Sequence, residues 1–543
     1  MRNSREKELR AWNEARQSTP ERMQRAFAAL EDIRAGMDVF EAIKRHPLQS
    51  EGGGFIGKHM LVAAYRELVE LGDWDEDPAL LARIRLKPMR TLSGVTVVTV
   101  LTKPYPCPGE CVFCPTDARM PKSYLPDEPG ALRAPQHEFD PYDQVRARLE
   151  QFEAVGHPTD KIELLVLGGT WSSYPRDYQE WFILRLYDAL NGVESGTLAE
   201  AQAINETASH RNVGLAIETR PDHVNPDELK WLRTLGVTKV QLGAQSFDDR
   251  ILALNKRGHS AAETLAAVDL LRAAGFKIVL HWMPNLLGAT VEGDRADFLH
   301  FWESYCPDEI KIYPTQLLEN AELYEYWQRG EYQPYETEEL IELIADIKTS
   351  IPEYCRVNRV IRDIPSTNVV EGNKRTSLRM DVHQRLAETG RECRCVRCRE
   401  VRGQQVQADE LELRDFVYRT PAAEEHFLSF VTPDDKLAGF LRLSLPGADS
   451  PATGLADLEG AALIREVHVY GQSLEVGVGQ EGAAQHLGLG TQLIAEAERI
   501  AREAGFARMA VIAAIGTRRY YAGRGYALGQ TYMNKSLPDA QVE

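Results

Sequence analysis

The sequence lacks the features that would direct the protein out of the cell or into a membrane. The N-terminal stretch of this 543-residue chain is charged and contains no apolar segment of the kind a secretory signal needs. No apolar run approaches the length that crosses a bilayer, and no segment is of low complexity. We therefore expect a cytoplasmic protein with no membrane partner.

Cysteine is scarce, and its distribution is uneven. Six of the eight cysteines fall in two tight groups, Cys107, Cys111 and Cys114 and then Cys393, Cys395 and Cys398. Clustered thiols in a chain without a secretory signal indicate metal binding rather than disulfides. Cys306 and Cys355 stand alone, and we interpret them as buried structural thiols.

Positive charge is also in deficit. A net charge of −18 leaves no generally basic surface for nucleic acid, although binding depends on local patches rather than on the total. Between positions 356 and 402 lies a basic stretch that comprises Arg356, Arg359, Arg362, Lys374, Arg375, Arg379, Arg391, Arg394, Arg397, Arg399 and Arg402. Such a run is usually a solvated face. Here we interpret it as a platform for a phosphate backbone.

The texture of the chain changes along its length. Residues 1–85 carry apolar residues at helical spacing and predict a small helical region. In residues 86–385, six short β-branched runs alternate with amphipathic helical segments, which predicts an α/β fold with a partial (β/α) barrel. Residues 386–403 form a cysteine-rich linker. Residues 404–543 predict a smaller α/β domain.

A C-x3-C-x2-C loop directly follows the first predicted barrel strand. Zinc sites usually take four protein ligands in two separated pairs, whereas the thiolates of Cys107, Cys111 and Cys114 suit a 4Fe–4S cluster with one open iron. That iron can chelate S-adenosylmethionine (SAM), whose reductive cleavage gives a 5′-deoxyadenosyl radical. Gly168 and Gly169, after the second strand, would let the backbone approach the SAM methionine. The alternative is a zinc knuckle without its fourth ligand.

A glycine-rich turn opens the long helix of the last domain. Gln485, Gly488 and Gly490 precede or begin a helix predicted from Thr491, and backbone N–H groups in such a turn suit a pyrophosphate. The preceding strand, residues 464–470, can offer main-chain donors to a pantetheine arm. The arrangement resembles the GNAT acetyltransferase fold and therefore indicates acetyl-CoA.

In the GNAT fold a tyrosine after the next strand commonly lies beside the thioester sulfur as a proton donor. Tyr521 is our candidate for this role, and Tyr520 is the reserve. Glu466 and His468 are candidate bases, but ordinary strand residues facing a core or solvent explain them equally well.

The second cysteine group is compact and lies between the two predicted modules. Cys393, Cys395 and Cys398 predict a structural Zn²⁺ clip that takes its fourth ligand from elsewhere. A catalytic zinc is the less favoured alternative, because no acid or base motif adjoins the group.

The combination of motifs resembles the catalytic subunit of Elongator, including its stand-alone bacterial and archaeal forms. The likeness runs from about Leu86 to Leu537. It is carried, in order, by residues 87–94, 103–104, 160–161, 168–170, 217–222, 255–259, 311–315, 362–365, 465–471 and 516–521.

This resemblance implies a reaction at the wobble uridine in the anticodon stem-loop of tRNA. A SAM-derived radical takes hydrogen from the acetyl methyl of acetyl-CoA, the carbon radical adds to C5 of uridine, and thioester hydrolysis leaves a carboxymethyl group. The resemblance assigns the cluster to Cys107, Cys111 and Cys114. It assigns acetyl-CoA contacts to Lys161, Glu466, Val467, His468, Val469, Leu489, Gly490, Thr491 and Tyr521, with Tyr521, Tyr520 and Lys161 as catalytic candidates.

The expected partners are tRNA, acetyl-CoA, SAM and an electron donor that the sequence does not identify. Residues 1–85 are expected to help grip tRNA. Two other functions compete with this prediction. One is a protein lysine acetyltransferase whose iron–sulfur module is only structural, and the other is a non-catalytic tRNA-binding scaffold.

Overall fold

The computed structural model describes residues 18–49, 54–402, 404, 406–471 and 488–538. Within them the chain forms a helical region, a seven-stranded parallel sheet and a seven-stranded mixed sheet. None of the described helices combines the length and the apolar character needed to cross a membrane.

The helical region consists of four helices with a core of their own. They are α1 (Pro20–Arg34), α2 (Val39–Arg45), α3 (Lys58–Glu70) and α4 (Pro78–Ile84). The side chains of Thr19, Asp38 and Asp77 cap α1, α2 and α4 by accepting backbone N–H bonds. Apolar side chains from all four helices form a separate buried cluster, as the helical spacing predicted.

The parallel sheet is a partial barrel whose strands follow one another in chain order. They are β1 (Thr96–Leu101), β2 (Lys161–Leu167), β3 (Arg211–Thr219), β4 (Lys239–Gln245), β5 (Lys277–Trp282), β6 (Glu309–Ile312) and β7 (Arg356–Arg359). Six were predicted. The seventh, Arg-Val-Asn-Arg, was missed because its polar letters do not give the apolar run of a buried strand.

Helices connect and cover these strands. They are α5 (Pro141–Glu153), α6 (Arg176–Asn191), α7 (Leu198–Asn205), α8 (Pro226–Thr234), α9 (Asp249–Leu254), α10 (Ala261–Ala273), α11 (Val291–His300), α12 (Leu323–Gln328), α13 (Thr337–Ile347), α14 (Leu378–Glu388) and α15 (Val396–Arg399). Strong local signals set several starts. For example, Ser260 and Glu263 form a reciprocal capping box at α10.

The mixed sheet forms the C-terminal domain. Its strands are β8 (Glu412–Arg419), β9 (Ala423–Val431), β10 (Leu437–Pro446), β11 (Ala461–Val469), β12 (Arg508–Val511), β13 (Ala527–Leu528) and β14 (Met533–Ser536), in the order β8-β9-β10-β11-β12-β14-β13. The β11–β12 pair is parallel and the other pairs are antiparallel. Helix α16 (Leu489–Glu503) packs on β10 and β11, and the short α17 (Arg518–Ala522) follows β12.

The C-terminal domain packs against the end of the barrel where the strands begin. The Tyr532 hydroxyl donates to the Ala274 carbonyl at 2.7 Å, just before β5. A Cβ on Gly516 would lie 2.7 Å from the carbonyl oxygen of Asn212, at the start of β3. One buried apolar cluster runs through both sheets. The predicted fold class, a partial barrel with a second α/β domain, is confirmed.

Candidate active site

A single chamber runs from the cysteine loop to the C-terminal domain. Its volume is 1160 Å³. Cys114 and Tyr124 line it near the carboxyl ends of the strands, Glu218 and Lys311 line it within the barrel, and Tyr521 lines it on the far side. The lumen therefore joins the two sites that the sequence assigned to SAM and to acetyl-CoA.

The first cysteine group lies on the loop after β1. Cys111 is buried, and Cys107 and Cys114 are half-buried. The Cys107 sulfur is 3.5 Å from the Thr170 hydroxyl, and Arg257 Nη1 donates to the Cys111 sulfur at 3.3 Å. Burial, together with the neighbouring Cys111, raises the pKa of the Cys114 thiol to about 12.

The surroundings of this loop fit an anionic iron–sulfur cluster. Arg257 and Arg220 both face the thiols, and Arg220 Nη1 is buried with no hydrogen-bond partner among the described residues. Its other nitrogens bind Asp222 at 2.9 and 3.0 Å. A buried guanidinium nitrogen without a partner is costly, and thiolates that ligate a cluster would supply the missing negative charge.

Gly168 and Gly169 lie at the carboxyl end of β2, beside this loop. Both have positive φ, of 145° and 91°. A Cβ on Gly168 would meet the Thr102 hydroxyl at 1.8 Å, so packing alone already requires glycine there. Gly169 is less crowded, with 3.5 Å to the nearest atom, the Lys122 carbonyl oxygen.

The middle of the lumen holds a linked set of polar side chains. Tyr124 donates to Glu218 at 3.0 Å, and Lys311 Nζ lies 3.4 Å from the other Glu218 oxygen. His281 Nε2 is 3.2 Å from the Gln241 amide oxygen. Burial, and then Lys311, hold the pKa of His281 well below its usual value. These groups can bind the polar edge of a planar base.

The strand assigned to acetyl-CoA, β11, turns two candidate bases toward the chamber. Lys277 Nζ binds one oxygen of the Glu466 carboxylate, and Arg442 donates to the other at 2.9 Å. Burial would raise the pKa of Glu466, but these two cations lower it. A carboxylate held on both oxygens is not free to accept a proton.

His468 is different from Glu466. Burial lowers the pKa of His468 to about 4, so its imidazole is neutral near pH 7. Its Nε2 has no hydrogen-bond partner among the described residues. The ring lies between Phe440 and Tyr470, with centroids 5.8 and 4.5 Å away. Of the two predicted bases, only His468 has proton-accepting capacity to spare.

The two tyrosines after β12, Tyr520 and Tyr521, also lie in different surroundings. Tyr521 is 7% exposed and lines the chamber, and burial raises its pKa, so it keeps its proton at neutral pH. Tyr520 instead faces the start of α16, where a Cβ on Gly490 would lie 2.6 Å from its hydroxyl. Of the two tyrosines, Tyr521 is therefore the one that both lines the chamber and has a raised pKa.

The remaining predicted acetyl-CoA residues lie around the start of α16 and β2. Gly488 caps α16 with a φ of 67°, Leu489 is buried, and Thr491 accepts from Arg524 at 2.8 Å. Gln485 lies outside the described residues. Lys161, at the first position of β2, is half-buried and is not among the residues that line the chamber.

The second cysteine group is compact enough for one metal ion. The sulfurs of Cys393, Cys395 and Cys398 lie within 4.8 Å of one another, the only such group of three among the described residues. Cys395 and Cys398 are 3.6 Å apart, close to the roughly 3.8 Å that tetrahedral Zn–S bonds of 2.3 Å give. Among the described residues, no fourth His, Cys, Asp or Glu completes the group within 4.8 Å.

The basic stretch divides into paired and unpaired cations. Arg356, Arg362, Arg391 and Arg399 each bind a carboxylate. Arg379 and Arg397 line the chamber, and neither forms an ion pair with a described carboxylate. The excess positive charge is therefore at the open side of the barrel, next to β7.

Sequence reasoning missed several residues of the chamber wall. Lys239, Lys277 and Glu309 lie at the starts of β4, β5 and β6. Glu309 binds both lysines in the lumen floor. The sequence pattern that could have indicated them is an ionisable residue at the start of an otherwise apolar strand, as in Lys277-Ile-Val-Leu. That pattern does not reveal the partner, because the partner lies on another strand.

The chain matches the model of the Radical SAM superfamily over residues 105–301 and that of the Radical SAM C-terminal domain over residues 307–388. A tRNA uridine(34) acetyltransferase from Dehalococcoides mccartyi is 46% identical over 454 residues, which cover 82% of this chain and 99% of that protein. Elongator complex protein 3 from Danio rerio is 38% identical, with 84% and 87% covered. The archaeal Methanocaldococcus infernus Elp3 with an N-terminus deletion has a TM-score of 0.71 and 39% identity, with 82% and 100% covered.

Fold and site together define a radical SAM protein whose barrel lumen opens onto a second, mixed-sheet domain. The sequence identity to relatives that align over most of their length defines the family within this class. The chain belongs to the family of the tRNA uridine(34) acetyltransferases and Elongator complex protein 3.

Proposed function

We propose that the protein converts the wobble uridine of tRNA to carboxymethyluridine, with acetyl-CoA as the source of the added carbons. The observation that carries this proposal is the shared chamber, which has the cysteine loop at one end and Tyr521 at the other. The names of the relatives support the same substrate class, since three of them are tRNA uridine(34) acetyltransferases.

Cys107, Cys111 and Cys114 would hold a 4Fe–4S cluster, and Arg220 and Arg257 would balance its charge. When bound, the cluster and SAM supply a 5′-deoxyadenosyl radical that activates the acetyl methyl group. An electron donor outside the chain must reduce the cluster. The lumen walls confine the substrate near Glu218 and Lys311.

The uridine enters through the open side of the partial barrel. Arg379 and Arg397, which lack carboxylate partners among the described residues, lie there and attract the phosphates that flank the base. Their charge is local, so an overall charge of −18 does not oppose it. The cytoplasm, where tRNA is modified, remains the predicted location.

Hydrolysis of the thioester falls to the C-terminal domain. His468 accepts a proton from the attacking water, and Tyr521 donates a proton to the departing CoA sulfur. The backbone from Glu466 to Val469 and the turn at Gly488–Thr491 bind the CoA arm, and Lys161 and Gln485 remain predicted contacts. Cys393, Cys395 and Cys398 would hold a structural zinc.

The test is an anaerobic reaction of reconstituted protein with SAM, dithionite, acetyl-CoA and unmodified tRNA, followed by mass spectrometry of the nucleosides. Carboxymethyluridine and 5′-deoxyadenosine should appear together, and Cys111→Ser should abolish both. Cys306→Ser is the matched control, because that thiol is equally buried but lies away from the loop. Acetyl-CoA hydrolysis without any modified uridine would contradict the proposal.

The competing function, protein lysine acetylation with a structural iron–sulfur module, is less well supported. The Glu466 and His468 side of β11 faces the same chamber that Cys114 lines, which favours a reaction shared with the iron–sulfur module. Lysine acetylation that needs no SAM and survives Cys111→Ser would favour it. A non-catalytic scaffold would cleave no SAM at all.

A further inference from the structure

Ten ionisable side chains of alternating sign join end to end across the two domains. In order they are Glu163, Lys239, Glu309, Lys277, Glu466, Arg442, Asp308, Arg465, Glu425 and Arg272, and each neighbouring pair is separated by no more than 3.7 Å. Five are acidic and five basic, so this charge chain is neutral overall. It starts in the lumen floor and ends at Arg272 on barrel helix α10, which meets Glu425 of β9.

Most of the charge chain is withdrawn from water. Asp308, Arg465 and Arg272 are fully buried, and the side chains of Lys277 and Glu466 are 16% and 11% exposed. Buried ion pairs add little stability compared with apolar packing, since desolvation offsets their attraction. What they provide is geometry, because each charge must meet its partner or be left unpaired at high cost.

Four pairs of the charge chain cross from one domain to the other. They are Lys277–Glu466, Arg442–Asp308, Arg465–Asp308 and Arg272–Glu425. Lys277–Glu466 differs from the other three because both of its members line the chamber. Lys277 also binds Glu309 at 2.6 Å, so one ammonium group joins the barrel floor to strand β11.

We infer that Lys277 is a positioning residue that holds β11 in register with the barrel lumen, so that the acetyl group on β11 faces the uridine. This role rests on the proposed function. It concerns how the acetyl-CoA site on β11 is aligned with the uridine site in the barrel. Lys277 touches neither reacting group. It fixes their separation through Glu466, which lies two residues from His468 on the same strand.

A small displacement is enough to separate the two half-reactions. Misplacing reacting groups by about 1 Å can lower a rate by about 10²-fold without any loss of binding. Loss of Lys277 therefore leaves SAM cleavage and acetyl-CoA binding in place, but the acetyl carbon reaches uridine less often. We therefore expect SAM cleavage to continue while less of it leads to carboxymethyluridine, rather than a loss of both activities.

The experiment compares Lys277→Met with wild type in the reconstituted holoenzyme, supplied with SAM, dithionite, acetyl-CoA and tRNA. The readout is carboxymethyluridine formed per 5′-deoxyadenosine, with the acetyl-CoA Kd measured in parallel. We expect the ratio to fall at least about tenfold, the Kd to stay near the wild-type value, and Lys277→Arg to recover part of the ratio. Lys535→Met is the matched control, because Lys535 binds Glu498 at 2.8 Å within one domain.

An unchanged ratio, or a fall in both products in constant proportion, would overturn the inference. If Lys277→Met does not fold, the double variant Lys277→Met/Glu466→Gln also removes the negative charge that Lys277 neutralised and should show the same uncoupling. Amide hydrogen exchange of residues 467–469 gives an answer independent of activity. Faster exchange in Lys277→Met than in Lys535→Met supports the positioning role even if wild type makes no carboxymethyluridine, and equal exchange contradicts it.

Discussion

Glu466 and His468 lie two residues apart on β11, and their side chains have different surroundings. Lys277 and Arg442 occupy both carboxylate oxygens of Glu466, while His468 Nε2 has no partner among the described residues. A sequence pattern lists both as possible bases. Only the contacts made by their side chains decide between them, and those contacts come from other strands.

At this scale we predict the pH dependence of CoA release. Burial is the main cause that lowers the pKa of His468 to about 4. Nearby Glu466 raises this pKa, while Lys277 and Arg356 lower it further. A base must be neutral to act, so the rate should be flat from about pH 6 to 8 and fall only as the pH approaches 4. A free histidine, with a pKa of about 6.5, would already halve the rate near that pH.

His468→Gln should slow CoA release by about 10²-fold or more, as expected for loss of a general base. The measurement is thiol release from acetyl-CoA in the complete anaerobic reaction. Phe440→Leu changes the packing beside the ring without removing a proton acceptor, and should keep the flat pH profile. A profile that bends near pH 6.5 would contradict this assignment.

Tyr521→Phe tests the proton donor separately. Because burial raises the Tyr521 pKa, its hydroxyl stays protonated at neutral pH and can protonate the leaving thiolate. We expect CoA release to fall by about 10²-fold while the acetyl-CoA Kd stays unchanged. Tyr526→Phe, which removes a hydroxyl that donates to Glu498 at 2.8 Å, should leave the rate intact.

Among the structural elements, the cysteine-rich turn before α15 has an unusual neighbour. Lys348 is fully buried, its Nζ has no hydrogen-bond partner among the described residues, and it lies within electrostatic range of the sulfurs of Cys393, Cys395 and Cys398. A buried ammonium is costly without a negative partner. Three thiolates on one Zn²⁺ carry a net charge of −1, which Lys348 would neutralise.

We therefore predict that the purified protein binds one zinc ion at this turn, and that Cys398→Ser loses it. Lys348→Met should weaken zinc binding by about 10–100-fold, the usual effect of removing a group that supports metal ligands. Competition with a chromophoric chelator measures this. Lys374→Met, at an exposed lysine of the same region, should bind zinc as tightly as wild type.

The elements also show what sequence could and could not predict. The six predicted β-branched runs correspond to strands β1 to β6, and helical segments were expected between them, because apolar periodicity is local information. β7 and β9 were missed, since Arg-Val-Asn-Arg and Ala-Glu-Glu-His-Phe-Leu-Ser-Phe-Val carry charges at positions that are buried only by tertiary pairing. The cysteine loops were predicted because their ligands are adjacent in sequence, and the charge chain was not because its members are not.

At the scale of the whole molecule, the charge chain contributes four ion pairs to the contact between the two domains. Asp308 is its most constrained member. Its carboxylate accepts from Arg465 at 2.5 and 2.9 Å and from the Ile278 amide at 2.8 Å, and it lies 3.4 Å from Arg442. Burial would raise the pKa of Asp308, but Arg465 and Arg442 hold it well below the usual value.

Asp308→Asn should consequently destabilise the protein by about 3–5 kcal/mol, since it leaves Arg465 and Arg442 buried without their shared carboxylate. Because the folded-state pKa is depressed, the contribution of Asp308 is present in full above the unfolded value of about 3.9 and is lost as the pH falls toward the folded value. In urea denaturation, the gap between wild type and variant should be constant above about pH 5 and narrow below about pH 4. Asp363→Asn, whose carboxylate is 60% exposed beside Arg359, should cost little at any pH; an equal loss in the two variants would mean that the charge chain does not hold the domains together.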